Sequence, residues 1–223
     1  MLSPLPIIAI DGPAGAGKST VTKLVAARLG LLFLDTGAMY RAIAWLVLEA
    51  NLALDDELSI ARLVQEAKIV LTGDRVVVND IDVTEAIRMP AVTGKVSAIA
   101  ALGVVRAALV TQQQAIGANG GIVAEGRDMC THVFPNAKVK IFLTASVPER
   151  ARRRQQDLID RGQGEVSLVE LEHSIAERDR IDSTREIAPL KKAADAVEIV
   201  TDNLSIDEVV DRIVNMYREA TST

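Results

Sequence analysis

Two hydrophobic patterns share this chain. Short runs dominated by apolar residues stand at 7–10, 31–34, 122–124, 139–143 and 197–200. Runs of four or five such residues suit strands buried in a parallel sheet. Between them the apolar positions recur with helical spacing. Val21, Leu24, Val25 and Leu29 fall on one face, with Gly30 placed to stop the helix. Further helices are predicted from about 37 to 50, over 56–67, over 90–118, from Pro148 onward, in a segment ended by Pro189, and over 205–219. Strands that alternate with helices in this way predict an open α/β fold: five parallel strands with helices on both faces.

Two stretches break the alternation. Residues 68–72 and 75–78 are β-branched runs, punctuated by Gly73-Asp74 and Asn79-Asp80. They predict a hairpin or a small antiparallel sheet inserted into the core fold. Gln155 to Gly164 is polar with two glycines, and reads as a mobile segment.

Composition narrows the picture. A chain of 223 residues, 49% of them apolar, predicts one domain that can carry inserted subdomains. Aromatic residues make up only 3%, so the core is aliphatic and few rings are available to stack on nucleic acid bases. A net charge of −5 argues against a general polyanion-binding surface. No apolar run approaches 18 residues, and Met1-Leu2-Ser3-Pro4 lacks the basic region of a signal peptide, so a cytoplasmic protein without a membrane partner is expected. The one cysteine, Cys130, excludes an internal disulfide and fits a reducing compartment.

The chemistry starts where the first apolar run ends. Asp11-Gly12-Pro13-Ala14-Gly15-Ala16-Gly17-Lys18-Ser19-Thr20 has the spacing G-x-x-x-x-G-K-S between a predicted strand and a predicted helix. The four fixed positions arise by chance in on the order of one in a hundred chains of this length, and the strand–helix context lowers the odds further. This is a phosphate-cradling loop. Its glycines let backbone N–H groups crowd round a polyphosphate, and the helix that follows turns its unpaired N–H groups towards the anion. Residues 12–20 are therefore candidates for binding ATP, with Lys18 reaching the β- and γ-phosphates and the Ser19 hydroxyl on Mg²⁺.

Polar clusters at the carboxyl ends of the other runs lie where open α/β sheets bind ligands. The first is Asp35-Thr36-Gly37-Ala38-Met39-Tyr40-Arg41, where Asp35 or Thr36 could equally cap the following helix. The second is Glu125-Gly126-Arg127-Asp128-Met129-Cys130. Arg127 is expected on a phosphate and Asp128 on a ligand donor, while Cys130 reads as an inert small residue. Arg150, Arg152, Arg153 and Arg154 cannot all face one way from a single helix, and some must face solvent. Arg178, Asp182 and Arg185 share one side of a helix, which alone could be an exposed ion pair. Lys18 and up to eight arginines (41, 106, 127, 152, 153, 154, 178 and 185) exceed what one triphosphate needs. Two phosphorylated substrates placed end to end would account for them. No Asn-Lys-x-Asp segment speaks for a GTPase.

With DTGAMYR at 35–41, EGRDMCT at 125–131, Phe134-Pro135 and RDRIDSTREIAPL at 178–190, the chain resembles the bacterial cytidylate kinases over essentially its whole length. The resemblance implies a P-loop NTPase three-layer fold. It also implies ATP- and Mg²⁺-dependent phosphorylation of CMP and dCMP to the diphosphates, in pyrimidine nucleotide metabolism. It implies a monophosphate-binding insertion at about 36–105 and a helical lid at about 150–185. Lys18, Arg127 and Arg185 would be catalytic. Arg41, Arg127 and Arg185 would hold the acceptor phosphate; Ser97, Arg106 and Asp128 would read cytosine; Arg178 and Asp182 would meet the sugar hydroxyls. Thr36 and Tyr40 join this acceptor set, and Arg152 and Arg154 the ATP set. The family usually carries glycine where Cys130 stands; if the position needed a positive φ, a side chain there would cost about 1 kcal/mol. A monomer acting on small nucleotides is expected. Two rivals stay open: a kinase for UMP, AMP or shikimate, and a non-catalytic nucleotide-binding switch.

Overall fold

The computed structural model describes residues 5–162 and 164–222; the reading of Met1 to Pro4 and that of Gln163 fall outside them. The chain divides into two units, one of residues 1–33 and 119–223 and one of residues 34–118.

The first unit is organised on a parallel sheet. Its central strand β1 (Ile8–Asp11) is buried along its whole length. It pairs in parallel with β6 (Ile122–Gly126) and β7 (Val139–Thr144), and β7 pairs with β8 (Val197–Val200). The full order is β2-β6-β1-β7-β8, where β2 is Leu32–Asp35. The expected architecture, a five-stranded parallel sheet flanked by helices, is the one observed. The strand β2 is less buried than its apolar sequence predicts, with Leu32 at 54% exposure, because an edge strand has one flank without a neighbour.

Helices α1 (Lys18–Leu29) and α9 (Ile206–Thr221) share one core with the sheet: Val21 and Val25 meet Val209, Val210, Ile213 and Val214 over Ile8, Ile10, Val139 and Ile141. Leu24, expected on the same face, is 41% exposed. Gly30 ends α1 in a left-handed conformation, its N–H on the carbonyls of Ala26 and Ala27. Ser205 and Glu208 form a capping box at the start of α9.

The helices α7 (Val147–Asp160) and α8 (Leu168–Thr184) pack on each other through Ala151, Leu158, Leu171 and Ile175. Here the structure corrects two readings. Helix α7 runs on through Gln155 to Asp160, and the Gln155 amide donates to the Val166 carbonyl at 2.8 Å, where a mobile segment was expected. Helix α8 ends at Thr184, five residues before Pro189, because Arg185 is already extended and the Leu190 N–H returns to the Asp182 carbonyl at 2.8 Å.

The second unit holds α2 (Thr36–Glu49), α3 (Glu57–Glu66) and the expected antiparallel sheet, β3 (Ile69–Thr72), β4 (Arg75–Val78) and β5 (Ile81–Asp82). Asn79 and Asp80 both have positive φ (49° and 66°), the backbone of a tight two-residue hairpin. Val76, Val78, Val83 and Ile87 pack this sheet against Ala38 and Ala42 of α2. The helix expected over 90–118 is three pieces: α4 (Pro90–Thr93), α5 (Val96–Ala101) and α6 (Gly103–Ile116). The extended backbone of Leu102 breaks the hydrogen-bond ladder, and the chain turns by 92° there. No single helix among the described residues is long and apolar enough to cross a membrane.

Candidate active site

The loop between β1 and α1 is shaped by what borders it. Gly12 has φ 153°, and a Cβ on it would stand 1.9 Å from the Leu143 carbonyl oxygen, so only glycine lets the loop leave the sheet this close to β7. Gly17, at φ 86°, is the N-cap of α1 and offers no side chain to the first turn. By contrast Asp35, Ser146, Ser167 and Ser205 cap α2, α7, α8 and α9. The N–H groups that open α1 are thus left for an anion. Ser19 and Thr20 are exposed in that first turn.

Lys18 is buried, and its Nζ donates to the Pro13 carbonyl at 2.7 Å. Burial, joined by the charges of Arg127 and Arg178 and opposed by Glu125 and Asp11, lowers its ammonium to about 7. Arg127 and Arg178 are therefore close enough to act on Lys18.

The end of β6 supplies the next groups. Arg127 Nε donates to Asp182 at 3.0 Å, a partner 55 residues along the chain that local spacing does not give. Asp128 is 2% exposed and lies 3.6 Å from Arg185 Nη2, whose Nε donates to the Ala188 carbonyl at 2.7 Å.

Two residues that motif spacing left without a role support this arrangement. Asp11, buried at the end of β1, accepts the N–H groups of Met129 and Cys130, both at 2.8 Å. Those N–H groups open the wide π-helical turn Met129–Val133 that follows Arg127 and Asp128. Burial raises the Asp11 carboxyl to about 6, against the pull of the two donors. A carboxylate that ends a buried strand was the available signal. Arg150 is the other. Of the arginines at 150–154 it is the buried one, at 4% exposure, donating to Ala145 and Ala14 carbonyls and pairing with Asp179 at 2.7 Å. Its place beside the buried Ala151 was the signal.

Of the neighbouring arginines Arg153 also borders the loop, its Nη1 standing 3.7 Å from where a Cβ on Gly17 would lie. Arg152 pairs with Glu149 on the exposed side, Arg154 pairs with Asp157, and Arg153 donates to Thr201 and Glu149. Cys130 does not adopt positive φ, so the anticipated strain does not arise. Its thiol lies against the Ala9 and Ile141 carbonyls, and burial raises it far above the usual thiol range. Cys130 is inert.

In the second unit, Asp35 is the N-cap of α2, accepting the Ala38 N–H at 2.8 Å. Its other oxygen takes Arg41 Nη2 at 3.0 Å, while the Arg41 Nε is buried with no partner among the described residues. The guanidinium of Arg106, 4% exposed on α6, lies 5.8 Å from the centre of the Tyr40 ring. Thr36 is buried and Ser97 is half-buried on α5.

Among the described residues, no three His, Cys, Asp or Glu side chains form a metal cage. Mg²⁺ does not require one, because it binds through one or two protein oxygens, substrate phosphates and water. The exposed Ser19 hydroxyl at the mouth of the loop fits that need.

A family model described as cytidylate kinase matches residues 8–219. The bifunctional pantoate ligase/cytidylate kinase of Nostoc sp. (strain PCC 7120 / SAG 25.82 / UTEX 2576) is 62% identical, the match covering 97% of this chain and 42% of that protein. Its namesake from Synechocystis sp. (strain ATCC 27184 / PCC 6803 / Kazusa) is 60% identical, covering 96% and 43%. The chain spans less than half the length of these relatives. Among solved structures, shikimate kinase from Acinetobacter baumannii in complex with shikimate has a TM-score of 0.50 at 15% identity, covering 98% of this chain and 96% of that one. TT1252 from Thermus thermophilus has a TM-score of 0.50 at 21% identity, with both chains covered in full. These two structures share the fold.

Proposed function

Because the chain belongs to the cytidylate kinase family, we propose that it transfers the γ-phosphoryl group of ATP to CMP and dCMP, giving CDP and dCDP. The observation that carries this reading is the gathering of Lys18, Arg127, Arg178, Asp128 and Arg185 in one unit around the ends of β1 and β6.

The reaction needs positioning and charge neutralisation more than covalent help. An oxygen of the acceptor's phosphate attacks the γ-phosphorus as the bond to the β-bridging oxygen breaks, and ADP leaves. That oxygen is already anionic, so no general base is needed. Residues 12–20 hold the ATP phosphates through loop and α1 N–H groups, and Lys18 moves from the Pro13 carbonyl to the β- and γ-oxygens. Ser19 would hold Mg²⁺, which would supply charge neutralisation for the phosphates. Arg152 and Arg154 belong to the ATP side, on a lid of about 150–185 whose closure excludes water. Arg41, Arg127 and Arg185 hold the acceptor phosphate; the buried Nε of Arg41, with no partner among the described residues, supports its share. Ser97, Arg106 and Asp128 read cytosine, and Thr36 and Tyr40 belong to the same acceptor set. Arg178 and Asp182 meet the sugar. The region of about 36–105 serves the monophosphate. The protein works as a cytoplasmic monomer in pyrimidine metabolism, with small nucleotides rather than nucleic acid or membrane as partners.

An assay of ADP release with ATP and Mg²⁺ tests the reading, with CMP, dCMP, UMP, AMP and no acceptor run in parallel. Fast turnover with CMP and dCMP, slower with UMP and negligible with AMP is expected. Release without an acceptor indicates an ATPase, and silence with every acceptor overturns the kinase reading.

Nucleotide binding should also move a proton. Phosphate oxygens favour the charged ammonium, so the pKa of Lys18 rises from about 7 on binding. The free protein then carries fewer protons than the complex at pH 8 and nearly the same number below pH 6. Calorimetry in two buffers of different ionisation enthalpy should register uptake of about one proton at pH 8 and almost none at pH 5.5. Equal heats in the two buffers at pH 8 would show that Lys18 is already charged in the free protein.

A further inference from the structure

Two cations hold adjacent carbonyls of the phosphate loop. Lys18 Nζ takes that of Pro13 at 2.7 Å, and Arg150 Nη1 takes that of Ala14 at 3.1 Å. A trans peptide whose carbonyl is drawn towards a cation presents its N–H on the opposite side, the orientation a phosphate cradle needs. The two anchors differ in permanence. In the kinase reading, on which this inference rests, Lys18 leaves Pro13 for the nucleotide. Arg150 is built in: its Nε donates to the Ala145 carbonyl at 2.9 Å and its Nη2 pairs with Asp179 at 2.7 Å. The loop packs directly on it, since a Cβ on Gly15 would lie 3.2 Å from the Arg150 Cβ.

Asp179 is the far end of this connection. It lies on α8 next to Arg178, whose charge acts on Lys18, and three residues before Asp182, the partner of Arg127. We propose that Arg150 is a positioning residue: it fixes the Ala14 peptide of the phosphate loop and, through Asp179, sets α8 so that Arg178 and Asp182 stand in place for the acceptor. A lysine cannot do this. Its ammonium is a point donor on a flexible stem, whereas the planar guanidinium serves three partners in fixed directions.

The test compares wild type with Arg150→Lys, Arg150→Met, Asp179→Asn and the Arg150→Met/Asp179→Asn double variant. MgADP affinity is measured by calorimetry, and kcat and KM with CMP by ADP release. Both Arg150 variants should bind MgADP more weakly and lose about a hundredfold in kcat, the cost of a misplacement of about 1 Å at a reacting centre. Asp179→Asn should raise the KM for CMP and leave MgADP affinity unchanged. The double variant should lose no more than Arg150→Met alone, because the pair acts as one unit. Should Arg150→Met fail to fold, Arg150→Lys decides. Wild-type MgADP affinity and turnover in Arg150→Lys would overturn the proposal, as would additive losses in the double variant. A wild-type protein that fails to phosphorylate CMP would instead overturn the kinase reading, and the MgADP affinities would still decide whether Arg150 anchors the loop.

Discussion

Lys18→Ala is expected to abolish phosphoryl transfer, with a fall of about 10³–10⁵-fold in kcat, the range for a cation that neutralises charge on a transferred phosphoryl group. Arg150, the other side chain that holds a carbonyl of the phosphate loop, is already engaged by the Ala14 and Ala145 carbonyls and Asp179 and does not take its place. The loss should fall on kcat more than on the KM for ATP, because the loop and α1 N–H groups still cradle the phosphates. Removal of the ammonium also ends the proton uptake expected at pH 8, which ties the kinetic and calorimetric results to the same atom. Near-wild-type turnover in this variant would sink the P-loop mechanism.

Asp128→Ala should damage selectivity rather than ATP use. A buried carboxylate suits the exocyclic amino group of cytosine, which uracil lacks, and a site built for that donor penalises the base without it. Loss of a desolvated, charged hydrogen bond is worth about 2–4 kcal/mol, so the CMP-over-UMP ratio of kcat/KM should fall by roughly thirtyfold to several hundredfold. The KM for ATP should change little. Asp128 also stands 3.6 Å from Arg185, so part of the loss in CMP turnover will come from Arg185 as well as from base reading. Asp128→Asn separates the two: it keeps an acceptor for the base and removes the charge that faces Arg185. An unchanged preference in Asp128→Ala would take Asp128 out of base recognition.

Much of this was legible in the chain. Runs of four or five apolar residues mark buried strands because a strand closed in on both faces tolerates little else. The G-x-x-x-x-G-K-S spacing marks the phosphate loop because the backbone must pass where no Cβ fits, as Gly12 against Leu143 demonstrates. Gly73-Asp74 and Asn79-Asp80 mark the hairpins because their backbone turns where most side chains resist. All of these are local constraints, written within a few residues of where they act.

Only the tertiary structure decided the partners. Helical spacing puts Arg178, Asp182 and Arg185 on one side, yet Asp182 pairs with Arg127, 55 residues away, and Arg185 turns to Asp128 and the Ala188 carbonyl. Four arginines within five positions look alike in sequence. Burial against the phosphate loop singles out Arg150, whose carbonyl partner Ala14 lies 136 residues earlier. Asp11 reads as the end of a strand until the register of β1 with β6 sets it under the N–H groups of Met129 and Cys130. The reason is common to all three. Periodicity and spacing fix geometry within an element, but a buried charge must find its counterpart wherever packing brings one, because the desolvation penalty leaves no other stable choice.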